Sequence, residues 1–71
     1  MKDKFNNSME CLDVGSRYLQ ELCNEISSEI SDENDKEEIC KKLYILGTLT
    51  CFKKKIDNLF FEMSEFSDKI F

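Results

Sequence analysis

Proline is absent from the 71-residue chain, and glycine occurs only twice. An all-β fold needs many tight turns, and these are the residues that most often form them. A chain that is 35 % charged and has so few helix breakers favours long helices. The sequence therefore predicts an all-α protein with a single domain over residues 1–71.

Histidine is also absent, which removes the commonest general base and the commonest metal ligand. The four cysteines, Cys11, Cys23, Cys40 and Cys51, lack the short CxxC spacing of zinc and thiol-redox sites. Along one helix Cys11 and Cys23 would lie about 18 Å apart, which is too far for a single four-thiolate site. We therefore predict no catalysis, no cofactor and no metal site.

No segment approaches the roughly 18 apolar residues of a membrane-spanning helix. Residues 1–8 are polar and resemble neither a signal peptide nor a transit peptide. The net charge of −5 argues against a nucleic-acid partner, because neutralising phosphates requires clustered Lys and Arg. These features predict a cytoplasmic protein without a membrane span.

The most regular feature is an apolar seam in the second half of the chain. Its members recur at alternating intervals of four and three, which is the heptad pattern of a helix that packs along another helix. The seam comprises Ile45, Leu49, Phe52, Ile56, Leu59, Met63, Phe66 and Ile70, with Phe60 beside it. It predicts a helix over about residues 35–70 that offers an interface to a partner.

A shorter amphipathic helix is predicted before the seam, over about residues 8–30, with residues 1–7 frayed. Its apolar positions share one face and are Leu12, Leu19, Leu22, Cys23, Ile26 and Ile30. The acidic segment at residues 31–34 predicts the turn, because Asp and Asn there are favourable helix caps. The whole chain is therefore expected to form an antiparallel helical hairpin.

Residues of the same type mirror each other about a turn near residue 31. The pairs are Cys11 with Cys51, Gly15 with Gly47, Tyr18 with Tyr44 and, one residue out of step, Cys23 with Cys40. Glycine inside a helix costs roughly 0.5–1 kcal/mol relative to alanine, so the two glycines predict a close helix crossing or a pocket for the tyrosine rings. The cysteines would face each other as reduced thiols or as two disulfides, and without a secretion signal we favour reduced thiols.

The predicted hairpin leaves apolar surface uncovered. Counted from the turn, the first helix would reach only the height of about residue 61, so that Met63, Phe66 and Ile70 project beyond it. Exposing such side chains is unfavourable by roughly 1.5–3 kcal/mol each. We therefore expect a helical interaction subunit for assembly, scaffolding or chaperoning. It would form a homodimeric four-helix bundle or bind a heteromeric helical partner.

Other functions fit parts of the sequence. An acidic inhibitor that mimics nucleic acid would use the carboxylates of Glu21, Glu25, Glu29, Asp32 and Glu33. A thiol-redox protein would use the paired cysteines. A basic cluster, Lys53, Lys54 and Lys55 with Lys41 and Lys42, fans around its helix, which is typical of solvated or acid-paired lysines.

Two families of helical hairpin are similar to parts of this chain. The cysteines from Cys11 to Cys51 resemble the twin-cysteine hairpins of the mitochondrial intermembrane space, with longer spacings here. That resemblance implies disulfides at two levels of the hairpin and that compartment. The acidic turn over residues 32–43 resembles the bend of the plasmid copy-number protein Rop, which implies a dimer of hairpins that binds paired RNA loops.

Overall fold

The computed structural model describes residues 1–71 as two antiparallel helices. Helix α1 spans Lys2–Asp32 and helix α2 spans Lys36–Ile70, and only three residues connect them. The expected all-α helical hairpin is confirmed, and α2 is continuous through the predicted seam. The molecule is a rod with Cα extents of 53 × 14 × 13 Å.

The turn is held by side-chain capping groups. The Asp35 carboxylate accepts the backbone N–H of Glu37 at 3.0 Å and caps the start of α2. The Glu33 carboxylate accepts the backbone N–H groups of Asn34 and Asp35, each at 3.1 Å. These bonds place the turn at residues 33–35, slightly later than expected.

Helix α1 begins at Lys2, well before the expected start at residue 8, so the segment expected to fray is helical. The ring of Phe5 lies 5.8 Å from that of Phe66 and 5.6 Å from that of Phe71, measured between centroids. These aromatic contacts stabilise a helix end that would otherwise be marginal. Because α1 reaches the end of α2, the expected overhang beyond Met63 is absent.

A heptad seam joins the two helices. On α1 the buried and half-buried positions include Phe5, Met9, Leu12, Ser16, Leu19, Cys23, Ile26 and Ile30; on α2 they include Ile39, Lys42, Leu46, Leu49, Lys53, Ile56, Phe60, Met63 and Ser67. We call these lines the α1 seam and the α2 seam. The contacts Ser16 to Asp57 and Phe5 to Phe66 set the register, in which residue numbers at one height add up to about 72.

The core between the helices is thin. Only Ser16, Cys23 and Ile26 are buried, at 7 %, 6 % and 8 % exposure. The solvent-accessible surface is 5648 Å², whereas a compact monomer of 8.4 kDa exposes about 4,600 Å². The hairpin therefore exposes roughly 1,000 Å² more than a compact protein of its size.

Candidate interaction surface

The partner interface expected on α2 divides into two sets. Leu49, Ile56, Phe60 and Met63 are half-buried within the α2 seam and face α1. The remaining members are 46–58 % exposed and are Ile45, Phe52, Leu59, Phe66 and Ile70. The first four of these lie seven residues apart, which places them in one line along the helix. We call Ile45, Phe52, Leu59 and Phe66 the α2 stripe.

Helix α1 carries a matching line beside its own seam. Cys11, Gly15, Tyr18 and Leu22 follow one another at intervals of four, three and four, and we call them the α1 stripe. Tyr18 is 67 % exposed and Leu22 is 41 % exposed, although Leu22 was expected in the core. An open groove of about 540 Å³ runs beside the stripe, lined by Asn7, Glu10, Cys11, Val14, Gly15 and Tyr18.

The two stripes lie on the same side of the hairpin. Leu22 directly precedes Cys23 of the α1 seam, and Phe52 directly precedes Lys53 of the α2 seam. Seen from one end of the rod, antiparallel helices wind in opposite senses. Positions just before the two seams therefore fall on one side, and positions just after them fall on the other. The result is one apolar face, about 30 Å long from Ile45 to Phe66.

The opposite side of the hairpin is polar along its middle. Among the positions that directly follow seam members, the polar ones are Asp13, Arg17, Gln20, Asn24 and Ser27 of α1 and Thr50, Lys54, Asp57 and Ser64 of α2. Exposed large apolar groups on that side are confined to Leu43, Phe61 and Phe71. The exposed apolar side chains of the rod are thus distributed unevenly between its two long sides.

The four cysteines are free thiols, with Cys23 buried and the other three exposed. In the observed register Cys11 and Cys51 lie about 15 Å apart along the rod, and Cys23 and Cys40 about 14 Å apart. A disulfide requires Cα atoms within about 7 Å. The structure therefore separates both of the mirrored thiol pairs, because the helices align differently from the expected hairpin.

Neither glycine lies at a close helix crossing, contrary to expectation. A Cβ atom at Gly15 or Gly47 would meet nothing within 4 Å. Tyr18 and Tyr44 are 67 % and 77 % exposed, so no pocket encloses their rings. Gly15 instead leaves open space on the apolar face.

Charged groups flank the seam near its middle. Asp57 accepts hydrogen bonds from the Lys53 ammonium at 2.8 Å and from the Ser16 hydroxyl. The bond from Lys53 and then the bond from Ser16 lower the pKa of the Asp57 carboxyl below its ordinary value. Lys53, a member of the basic cluster, is thus an acid-paired lysine.

A second ion pair closes the turn end of the rod. The Lys42 ammonium lies 3.2 Å from the Glu33 carboxylate. The backbone N–H of Asp35 and then Lys42 lower the pKa of the Glu33 carboxyl. The other carboxylates of the acidic-inhibitor hypothesis, Glu21, Glu25, Glu29 and Asp32, are exposed along α1.

No known protein family, curated protein or solved structure matches the chain. Neither helix has a stretch long and apolar enough to cross a membrane. No three His, Cys, Asp or Glu side chains are grouped so that they could hold a metal ion. The most distinctive feature that the hairpin presents to other molecules is its apolar face.

Half of this face was missed by the interpretation of the sequence. The sequence predicts Tyr18 at a close helix crossing and Leu22 in the core, and it predicts a partner interface only on α2. The feature of the sequence that indicates this half is the spacing of the α1 stripe. Its residues have the same intervals as the α1 seam, and each directly precedes a seam residue. A helix with two such lines has two apolar faces and needs two neighbours to cover them.

Proposed function

We propose that the chain is a non-enzymatic helical interaction subunit and that the apolar face is its docking surface. One observation carries the proposal, namely the concentration of six large side chains that are 41–67 % exposed on one side of the rod. They are Tyr18, Leu22, Ile45, Phe52, Leu59 and Phe66. Contiguous apolar patches of this kind mark interaction sites on proteins.

The size of the face supports this function. The whole long side of the rod that carries this face, 53 by 14 Å between Cα atoms, covers about 740 Å², close to the roughly 800 Å² per partner of a standard interface. The apolar face, about 30 Å long, forms the central part of that side, about 420 Å². Covering six half-exposed large side chains would contribute about 1 kcal/mol each. This gain opposes the loss of translational and rotational freedom on association.

The spacing of the face indicates the class of partner. The α2 stripe repeats every seven residues, so a helix lying along the rod would meet one of its side chains every two turns. An extended strand, whose side chains alternate every two residues, does not match this interval. The partner proposed is therefore helical, and the function is assembly or scaffolding.

Site-specific photo-crosslinking in cells that express the chain tests this function. p-Benzoylphenylalanine in place of Phe52 would lie on the docking surface and should give discrete covalent adducts. The matched control replaces Phe61, which is on the same helix, 63 % exposed and on the opposite side of the rod. Equal adducts from both positions, or none from position 52, would contradict the proposal.

A further inference from the structure

We infer that the apolar face binds a second copy of the chain, with α1 antiparallel to the α1 of the other copy. The two hairpins then form a four-helix bundle with their turns at opposite ends. This inference rests on the proposed function and identifies its partner.

Helix α1 carries a second heptad seam. It comprises Lys4, Ser8, Cys11, Gly15, Tyr18, Leu22, Glu25 and Glu29, each directly preceding a member of the α1 seam. Consecutive helix residues are about 100° apart, so the two seams point nearly at right angles to each other. Each helix of a four-helix bundle has two neighbours in this arrangement. The first neighbour of α1 is α2, and the second seam is uncovered in the hairpin.

The charges of the second seam are self-complementary in one orientation. Lys4 lies near its start, Glu25 and Glu29 near its end, and the α1 stripe in its middle. An antiparallel copy, related by a two-fold axis between residues 16 and 17, brings Lys4 of each copy to Glu29 of the other. A parallel copy would oppose like charges at both ends. Charged flanks of this kind set helix orientation in coiled coils.

The side chains in the middle of the second seam also have complementary shapes about this two-fold axis. The two-fold places Tyr18 of each copy opposite Gly15 of the other and Cys11 opposite Leu22. The space over Gly15 is open, since a Cβ atom there would meet nothing within 4 Å. The groove of about 540 Å³ beside Gly15 is large enough to receive an aromatic ring. Rings seated in such grooves are typical anchors of protein interfaces.

Electrostatics favours turns at opposite ends. Residues 29–38 contain six carboxylates and one lysine, a net charge of −5 at the turn end of each hairpin. A dimer with both turns at one end would bring these charges together. With the turns at opposite ends they are separated by about the length of the rod, 53 Å, several times the Debye length of about 8 Å.

Disulfide trapping of the full chain tests the arrangement. Lys4→Cys and Glu29→Cys are introduced together, with Cys11, Cys40 and Cys51 replaced by serine. The two positions are about 37 Å apart within α1, so a disulfide between them must join two copies. Oxidation with glutathione disulfide should give a covalent dimer. The matched control carries Lys4→Cys alone in the same background. It can form a covalent dimer only when position 4 of the two copies lies at the same end, and it should remain monomeric.

Charge reversal tests the ion pair separately. Lys4→Glu should weaken the dimer about fivefold, since two symmetric surface pairs are lost. Adding Glu29→Lys to that variant should restore the affinity. Positions 4 and 29 are about 37 Å apart within one chain, so the restoration cannot come from a contact inside a single copy. Sedimentation equilibrium measures each affinity, and circular dichroism confirms that helicity is kept.

The outcomes separate this inference from the proposed function. A covalent dimer of the variant with Lys4→Cys alone, or a double charge variant without restored affinity, overturns the arrangement. A chain that is monomeric at 100 μM overturns pairing of two copies. If that monomer still forms adducts with another protein from position 52 and not from position 61, the docking function survives. Absence of both association and adducts overturns the two together.

Discussion

The hydroxyl of Ser16 donates a hydrogen bond to the carboxylate of Asp57, 41 residues later on the facing helix. Ser16 is the only buried polar residue, at 7 % exposure, and it occupies a position where a coiled coil usually has an apolar residue. A polar seam residue specifies alignment at a cost in stability. The Ser16 to Asp57 contact therefore ties the two helices to one register.

Ser16→Leu should raise the free energy of unfolding by about 1 kcal/mol, because a seam position gains buried apolar surface. The control is Ser28→Leu, an exposed position of the same helix that should leave stability unchanged. Urea unfolding at fixed protein concentration measures both. A less stable Ser16→Leu variant would show that the bond to Asp57 outweighs the gain in packing.

Acid should weaken the hairpin through Glu33 and Asp57. Both carboxyls have a folded-state pKa below their ordinary values of 4.5 and 3.8. Their contribution to stability is therefore present above the ordinary pKa and is lost as the pH falls through the lower folded-state pKa. The thermal midpoint should therefore fall as the pH is lowered below about 4.5. The double variant Glu33→Gln with Asp57→Asn should show a shallower fall, and an unchanged slope would contradict this account.

The hairpin, the length of α2 and the uncovered apolar surface could be predicted, because each follows from local heptad intervals. The register could not be predicted from those intervals. The acidic segment around the turn offers several N-caps, and the bonds made by Glu33 and Asp35 select one. The α2 seam also includes Lys42 and Lys53, whose long stems pack while their ammonium groups reach carboxylates. A search for apolar positions alone therefore passes over these two lysines and takes an apolar neighbour, such as Phe52 directly before Lys53.

Ile26 should contribute more to stability than an exposed isoleucine. It is 8 % exposed in the α1 seam, whereas Ile70 is 58 % exposed at the end of α2. Ile26→Val should lower the free energy of unfolding by about 1 kcal/mol, since a buried methylene group is lost. Ile70→Val should change it by less than about 0.5 kcal/mol. Equal losses in urea unfolding would mean that the seam is not the main source of stability.

Alkylation should distinguish the four thiols. Cys23 is buried, and Cys11, Cys40 and Cys51 are exposed, so iodoacetamide should modify three thiols quickly and the fourth only after unfolding. The same mass should be found with and without prior reduction, because no pair is close enough for a disulfide. Mass spectrometry of the intact chain gives the count. A fast fourth thiol would contradict the burial of Cys23.

The rate at Cys11 also reports on pairing between copies. Cys11 lies in the α1 stripe, whereas Cys40 and Cys51 lie away from the apolar face on α2. As protein concentration rises, modification of Cys11 should slow while that of Cys40 and Cys51 stays constant, because only Cys11 is covered by the second copy. Phe52→Glu should keep Cys11 fast at every concentration, since a buried carboxylate opposes association. Phe61→Glu, on the opposite side, should behave like the unmodified chain. Uniform protection of all three thiols would point to nonspecific aggregation instead of the proposed dimer.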